Sequence, residues 1–200
     1  MRGSATIRLA RAEDAAGIQA IYAPFVRETA VSFEIEPPTI EEIRHRIADA
    51  HNRFPWLVCE NEAEIAGYVY ASPHSDRAAY AWSVNVSVYI DPRHRRSGFG
   101  KALYTSLFAV LRLQGFVNAY AGATLPNPGS VGLHEVMGFK LVGVYDAVGY
   151  KLGAWHSVGW WQLALHERSL TPAPPLSIAE VKDGKEWAAA LDSGLPFVKQ

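Results

Sequence analysis

Val88-Tyr89-Ile90-Asp91-Pro92-Arg93-His94-Arg95-Arg96-Ser97-Gly98-Phe99-Gly100-Lys101 decides the reading of this chain. Upstream, Trp82, Val84, Val86, Val88 and Ile90 alternate with Ser83, Asn85, Ser87 and Tyr89, so a strand is predicted with one face in the core and one available for chemistry. Asp91-Pro92 ends it. Downstream, Leu103, Leu107, Val110 and Leu111 form the apolar stripe of a helix that stops at Gly115. The basic, glycine-bearing loop between them aims main-chain N–H groups and the positive end of a helix dipole at one point. Gly98 and Gly100 carry no Cβ to hold a ligand away, and Arg95, Arg96 and Lys101 add positive charge. Such a loop is built for a phosphate-bearing ligand. It is neither of two common nucleotide loops. The glycines are too close for a Walker loop, and Leu103 stands where a dinucleotide fingerprint needs its third glycine.

What remains, Arg-x-x-Gly-x-Gly behind a strand ending Val-Tyr-Ile-Asp-Pro, resembles the pyrophosphate-binding loop of the GNAT superfamily of acyl-CoA-dependent N-acetyltransferases.

Composition narrows the field. The 200 residues are 49% hydrophobic, enough for one substantial core. With 19 basic and 20 acidic residues, the chain has no global electrostatic footprint for nucleic acid. A single cysteine, Cys59, excludes an internal disulfide framework and reads as a small buried hydrophobe within Trp56-Leu57-Val58-Cys59. No stretch has the roughly twenty apolar residues of a membrane span, and no apolar signal segment opens the chain, so a cytoplasmic protein is expected. The histidines have no ligand spacing, so no metal is expected; His51 and His74 read as surface residues.

Along the chain, strands are predicted at Thr6 to Leu9, Trp56 to Glu60, Ile65 to Ala71, Trp82 to Ile90, Val117 to Thr124, Leu141 to Val148 and Ser157 to Leu165. Helices are predicted at Glu13 to Glu28, from Thr39 to near His51-Asn52, after the loop, and at Ser130 to Met137. Thr39-Ile40-Glu41-Glu42 reads as a capping box. Gly149 to Trp155 reads as a turn-rich connection. Seven strands and four helices without regular β-α-β alternation predict an α/β fold: a mixed, mostly antiparallel sheet with helices on both faces, as in the GNAT fold. Residues 5–168 form the expected domain. Residues 169–200 read as a proline-containing linker and tail with a short helix near Glu186 to Leu191.

Further blocks carry a narrower resemblance: Thr29-Ala30-Val31-Ser32-Phe33-Glu34 before Glu36-Pro37; Tyr80-x-Trp82; Leu125-Pro126-Asn127 with Ser130 and Leu133-His134-Glu135; and Gly153-Ala154-Trp155-His156-Ser157-Val158-Gly159-Trp160-Trp161-Gln162-Leu163. Together they are similar to the phosphinothricin or methionine sulfoximine N-acetyltransferases. That resemblance implies acetyl-CoA as acyl donor, the α-amino group of a small amino-acid-like acceptor, direct attack on the thioester, and a homodimer. It implies donor binding by Val88, Tyr89, Ile90, Arg95, Arg96, Ser97, Gly98, Phe99, Gly100, Lys101, Asn127 and Ser130. On the acceptor side it implies the loop with Phe33 and Glu34, and Arg77; Phe33, Tyr80, Trp82, Trp155 and Trp160 are aromatic candidates for the walls of the acceptor pocket, and His156 is a polar candidate at a strand end.

Direct aminolysis needs a neutral amine, yet an α-amino group titrates near 8. The related enzymes carry a glutamate base on the strand before the loop; here that position is Asn85, which cannot take a proton near neutrality. His134 is the expected replacement, as base, acid or both. The family's second acceptor-facing basic position is Ser75, beside Asp76, which implies a less anionic or differently shaped acceptor than the family's. Two alternatives stay open at this level: an acetyltransferase for another small amine, and an acyl-CoA-binding module without catalysis.

Overall fold

A computed structural model describes residues 5–50 and 52–199; His51, expected at the surface, lies outside them. Seven strands form one sheet in the order β1-β2-β3-β4-β5-β7-β6. They are β1 (Thr6–Leu9), β2 (Trp56–Asn61), β3 (Glu64–Pro73), β4 (Ser83–Ile90), β5 (Asn118–Leu125), β6 (Lys140–Lys151) and β7 (Ala154–Ala164). All neighbours are antiparallel except β4 and β5. Four principal helices are α1 (Ala15–Glu28), α2 (Ile40–Ala50), α3 (Phe99–Gln114) and α4 (Pro128–Val136).

Each sheet face has its own core. On one, Val84 and Val86 meet Leu103, Leu107 and Leu111 of α3, with Leu133 of α4 packed alongside. On the other, Ile18, Tyr22 and Val26 of α1 and Ile43 and Ile47 of α2 cover Val58 and Tyr68. Burying each such aliphatic side chain stabilises the fold by about 1.5–3 kcal/mol. The capping box forms: Glu42 N–H donates to Thr39 Oγ1 (3.2 Å) while Thr39 N–H donates to Glu42 Oε2 (2.6 Å). Gly115 closes α3 in the left-handed conformation, with its N–H on the Arg112 carbonyl.

Three features differ from the sequence reading. The outward face of β4 is not free throughout, because the Tyr89 ring packs edge-on against Tyr22 (4.9 Å) and Phe25 (5.3 Å) in the second core. The segment from Gly149 to Trp155 is mostly strand; β6 and β7 join in a tight hairpin at Leu152 (φ 51°) and Gly153 (φ 80°). The chain after β7 returns along α3 through two short helices, α5 (Ile178–Val181) and α6 (Trp187–Asp192), and a 3-10 turn at Leu195–Phe197. Ser106 Oγ fastens this segment, donating to the Leu191 carbonyl and accepting from Gly194 N–H.

Only three rungs join the parallel pair: Ser83↔Asn118, Val84↔Ala119 and Asn85↔Tyr120. Beyond Asn85 the strands part. β5 stays paired with β7 along its length, and β4 stays paired with β3. From Val86 to Ile90, β4 therefore has no strand on its β5 side, and the cleft so opened leads to the glycine-bearing loop.

Candidate active site

The loop converges on α3. Asp91 caps the turn after β4, its Oδ1 accepting from Arg93 N–H (2.8 Å). Arg96 (φ 65°) and Gly98 (φ 85°) both take the left-handed conformation, a strained one for arginine. Among the described residues, no protein acceptor is bonded to the main-chain N–H of Arg96, Ser97, Gly98, Phe99, Gly100 or Lys101; the first bond belongs to Ala102 N–H, on the Gly98 carbonyl. Six consecutive donors at a helix N-terminus make an anion cradle. A Cβ on Gly100 would stand 3.1 Å from Leu133 Cδ2, so glycine lets α4 approach here.

The cations around this cradle are arranged unequally. Arg95 lies over the Phe25 ring (5.6 Å), Arg96 is exposed, and Lys101 Nζ sits over the Phe197 ring at 4.0 Å. Asn127 caps α4, its Oδ1 accepting from Ser130 N–H (3.1 Å), so that oxygen and that amide are already used. Val88 and Ile90 line the open edge of β4 by their main chain.

His134 is buried, 4% exposed, among the rings of Tyr104, Phe139 and Trp161. Burial lowers its pKa to about 4, so the imidazole is neutral at working pH. Its Nε2 lies 3.2 Å from the Tyr104 hydroxyl. Neither that hydroxyl nor the His134 Nδ1 has another partner among the described residues.

On the opposite sheet face, the loop after α1 meets the β6–β7 hairpin. The Phe33 ring fills the space where a Gly149 side chain would stand. Glu34 is paired with Arg46 (2.8 Å) and accepts from Tyr22 Oη (3.1 Å). Lys151, 5% exposed, crosses beneath, donating to the carbonyls of Val26 (2.7 Å) and Ser32 (2.6 Å). Burial lowers its pKa, while the Glu34 carboxylate opposes that shift. His156 Nε2 lies 3.0 Å from the Lys151 carbonyl, and its ring is 6.4 Å from Phe33.

The remaining aromatic candidates separate. Trp82 gives its indole N–H to the Ala173 carbonyl (2.7 Å), which ties it to the C-terminal segment instead of the cleft. Trp155 is 66% exposed beside Tyr150 on the outer hairpin. Trp160 packs against Gly122, and its indole N–H is buried with no partner among the described residues. Arg77 and Tyr80 are exposed and line a shallow cavity of about 270 Å³ with Arg53 and Phe54. Cys59 is fully buried, its thiol pushed up to about 12 by desolvation.

Sequence reasoning missed His74. Instead of lying free on the surface it reaches Asn85, with Nδ1 2.9 Å from Oδ1, and stacks on Tyr120 (centroids 4.3 Å, interplanar 27°). The contact follows from strand register: Ser72 pairs with Asn85 and Pro73 with Val84, which brings the next residue over the end of the rungs. No group of three or more His, Cys, Asp or Glu among the described residues could hold a metal ion.

A strand pair that opens beside an amide-lined helix start, on a seven-stranded mixed sheet, defines the class of acyltransferases that use an acyl thioester. The family follows from comparison: the model for the acetyltransferase (GNAT) domain matches residues 7–160, and the chain belongs to that family. Phosphinothricin N-acetyltransferase of Streptomyces viridochromogenes is 41% identical over 175 residues, 88% of this chain and 93% of that protein. The L-methionine sulfoximine/L-methionine sulfone acetyltransferase of Pseudomonas paraeruginosa is 32% identical over 172 residues, 84% of this chain and 99% of that one. A GNAT superfamily phosphinothricin acetyltransferase from Sinorhizobium meliloti, solved in complex with AcCoA, superposes with a TM-score of 0.81 at 34% identity, covering 85% of this chain and 94% of that chain.

Proposed function

We propose that this chain is an acetyl-CoA-dependent N-acetyltransferase of the phosphinothricin/methionine sulfoximine type, acting on the α-amino group of a small amino-acid-like acceptor. The observation that carries the reading is the run of six amides from Arg96 to Lys101 that no described residue engages, at the mouth of the open strand pair. A diphosphate satisfies such donors, and the free edge of β4 offers Val88 and Ile90 main-chain groups to the amides of a pantetheine arm, as an added strand would. The donor contributes the thioester; the chain orients it and manages protons. Lys101 and Arg96 supply charge beside the diphosphate, and the amide group of Asn127 Nδ2 is a further donor at the start of α4.

The acceptor lies on the side of Phe33, Glu34 and His156. Arg77 is the cation for its acidic group, and the loss of a second cation at Ser75 favours an acceptor less anionic than phosphinothricin. His134, with little imidazolium at neutral pH, is a weak base and a poor proton donor; its role is to give the Nδ1–H hydrogen bond to the departing sulfur. A homodimer fits the outer hairpin, where Leu141, Val142, Tyr145, Tyr150 and Trp155 are all more than half exposed on the edge strand β6 and its partner. No helix among the described residues is long and apolar enough to cross a membrane.

Thiol release from acetyl-CoA, followed over a panel of amino acids including phosphinothricin and methionine sulfoximine, tests the reading. Release that requires an α-amine supports it. Donor binding without acceptor-dependent release would replace it with a binding module.

A further inference from the structure

Asn85 stands where the related enzymes carry a base, yet a carboxamide takes no proton near neutrality. What touches it is His74. We propose that His74 is the catalytic base that deprotonates the incoming amine, and that Asn85 is the positioning residue that fixes its ring; this rests on the N-acetyltransferase reading above.

The hydrogen bonds fix the orientation. Asn85 Nδ2 donates to the Pro73 carbonyl (3.2 Å), which has room only for a donor. The carboxamide oxygen therefore faces His74 Nδ1 at 2.9 Å, so Nδ1 carries the proton. Nε2 then holds the lone pair and makes no bond to any described residue. An acceptor at Nδ1 that selects the tautomer and leaves Nε2 to take a proton is the arrangement by which a histidine base is oriented in other enzymes. Asn85 accepts the N–H without adding a charge.

The ring is also held in place by packing. It stacks on Tyr120, and Tyr80 lies 5.5 Å away at 54°. Tyr120 and Asn85 form the last rung of the parallel pair, so the imidazole sits over the point where the cleft opens. It is partly exposed, so an amine can reach it. Asn85 projects from the same side of β4 as Tyr89, the side of α1 and the Phe33 loop, whereas His134 packs with α3 on the other. The two histidines thus flank the opening from opposite sheet faces.

The protons balance. An ammonium group gives one proton to His74 Nε2. The freed nitrogen forms the C–N bond to the acyl carbon as the C–S bond breaks with its pair on sulfur. The nitrogen's second proton passes to the thiolate, and His74 releases its own to solvent. An ammonium and a thioester become an amide, a thiol and one free proton.

His74→Ala and His74→Gln are each expected to lower kcat at least a hundredfold. Acetyl-CoA affinity by calorimetry should stay within twofold and the thermal midpoint near that of the unaltered protein. Asn85→Ala should cost about tenfold, consistent with loss of an orienting partner. Installing a carboxylate base, His74→Ala with Asn85→Glu, should recover at least tenfold over His74→Ala alone. Independently of turnover, nitrogen NMR of labelled histidine should show His74 as the Nδ1–H tautomer, lost in Asn85→Ala. Turnover within fivefold of normal in His74→Ala would overturn the proposal. So would a large loss that the glutamate does not rescue, which would make His74 a wall of the pocket. If the unaltered protein acetylated no amine, the functional reading itself would fall, and the NMR result would still report on the pair.

Discussion

The Phe197 carbonyl oxygen occupies the place where a side chain on Gly98 would begin. The C-terminal segment therefore lies directly on the glycine-bearing loop, and Lys199 N–H bonds the Ser97 carbonyl at 2.9 Å beside this contact. Among the described residues, none of the six loop amides is consumed by the contact, because the segment takes a carbonyl and the flank of the loop. The family model ends at residue 160, so this buttress lies outside it.

Gly98→Ala would put a Cβ into that oxygen and hold a side chain at φ 85°. Left-handed backbone alone costs an ordinary residue about 1–2 kcal/mol. The expected result is at least a tenfold weaker acetyl-CoA Kd, read by calorimetry, with the acceptor KM little changed.

The loop after α1 and the hairpin are locked together at two points. Gly149→Ala would drive a methyl into the Phe33 ring, and Lys151→Met would leave the Val26 and Ser32 carbonyls without their donor. Losing two buried charge-assisted hydrogen bonds is expected to cost about 2–4 kcal/mol, seen as a lower thermal midpoint for Lys151→Met. Gly149→Ala should raise the acceptor KM several-fold while acetyl-CoA affinity holds.

His134 makes stability depend on pH in a known direction. Its pKa is about 4 in the fold and about 6.5 unfolded, so the unfolded chain binds the extra proton between those values. Its contribution is fully present above pH 6.5 and is lost as pH falls toward 4, by at most about 3 kcal/mol. Denaturant titrations at several pH values should show this slope, and His134→Phe should flatten it. In turnover, His134→Ala should cost about tenfold, the scale of one hydrogen bond to a leaving group. A hundredfold or greater loss would instead assign it proton transfer.

Much of the fold was legible because local chemistry agreed with it. The alternation of β4, the glycine ending α3 and the capping box at Thr39 each depend on neighbours a few residues away. The hairpin misread as a turn shows the limit. A ladder shift between Tyr145 and Gly149, with Ala147 at φ 43°, places a bulge within β6. Gly149 is needed for the Phe33 contact and not for a reversal. The four-residue helix α5 was missed because its Ser177–Glu180 capping box precedes too short an apolar run to show a period. The glycine-bearing loop stood out as a contiguous motif. The contact of His74 with Asn85 did not, since it joins residues eleven apart across a strand pair.

The central claim is that the amides from Arg96 to Lys101 hold the diphosphate of the acyl donor. Calorimetric titration of the intact chain with acetyl-CoA and with acetyl-pantetheine, which lacks the diphosphate, tests it most directly. The account predicts saturable acetyl-CoA binding at least a hundredfold tighter than that of acetyl-pantetheine. Equal affinity for the two, or no uptake of acetyl-CoA at all, would contradict it.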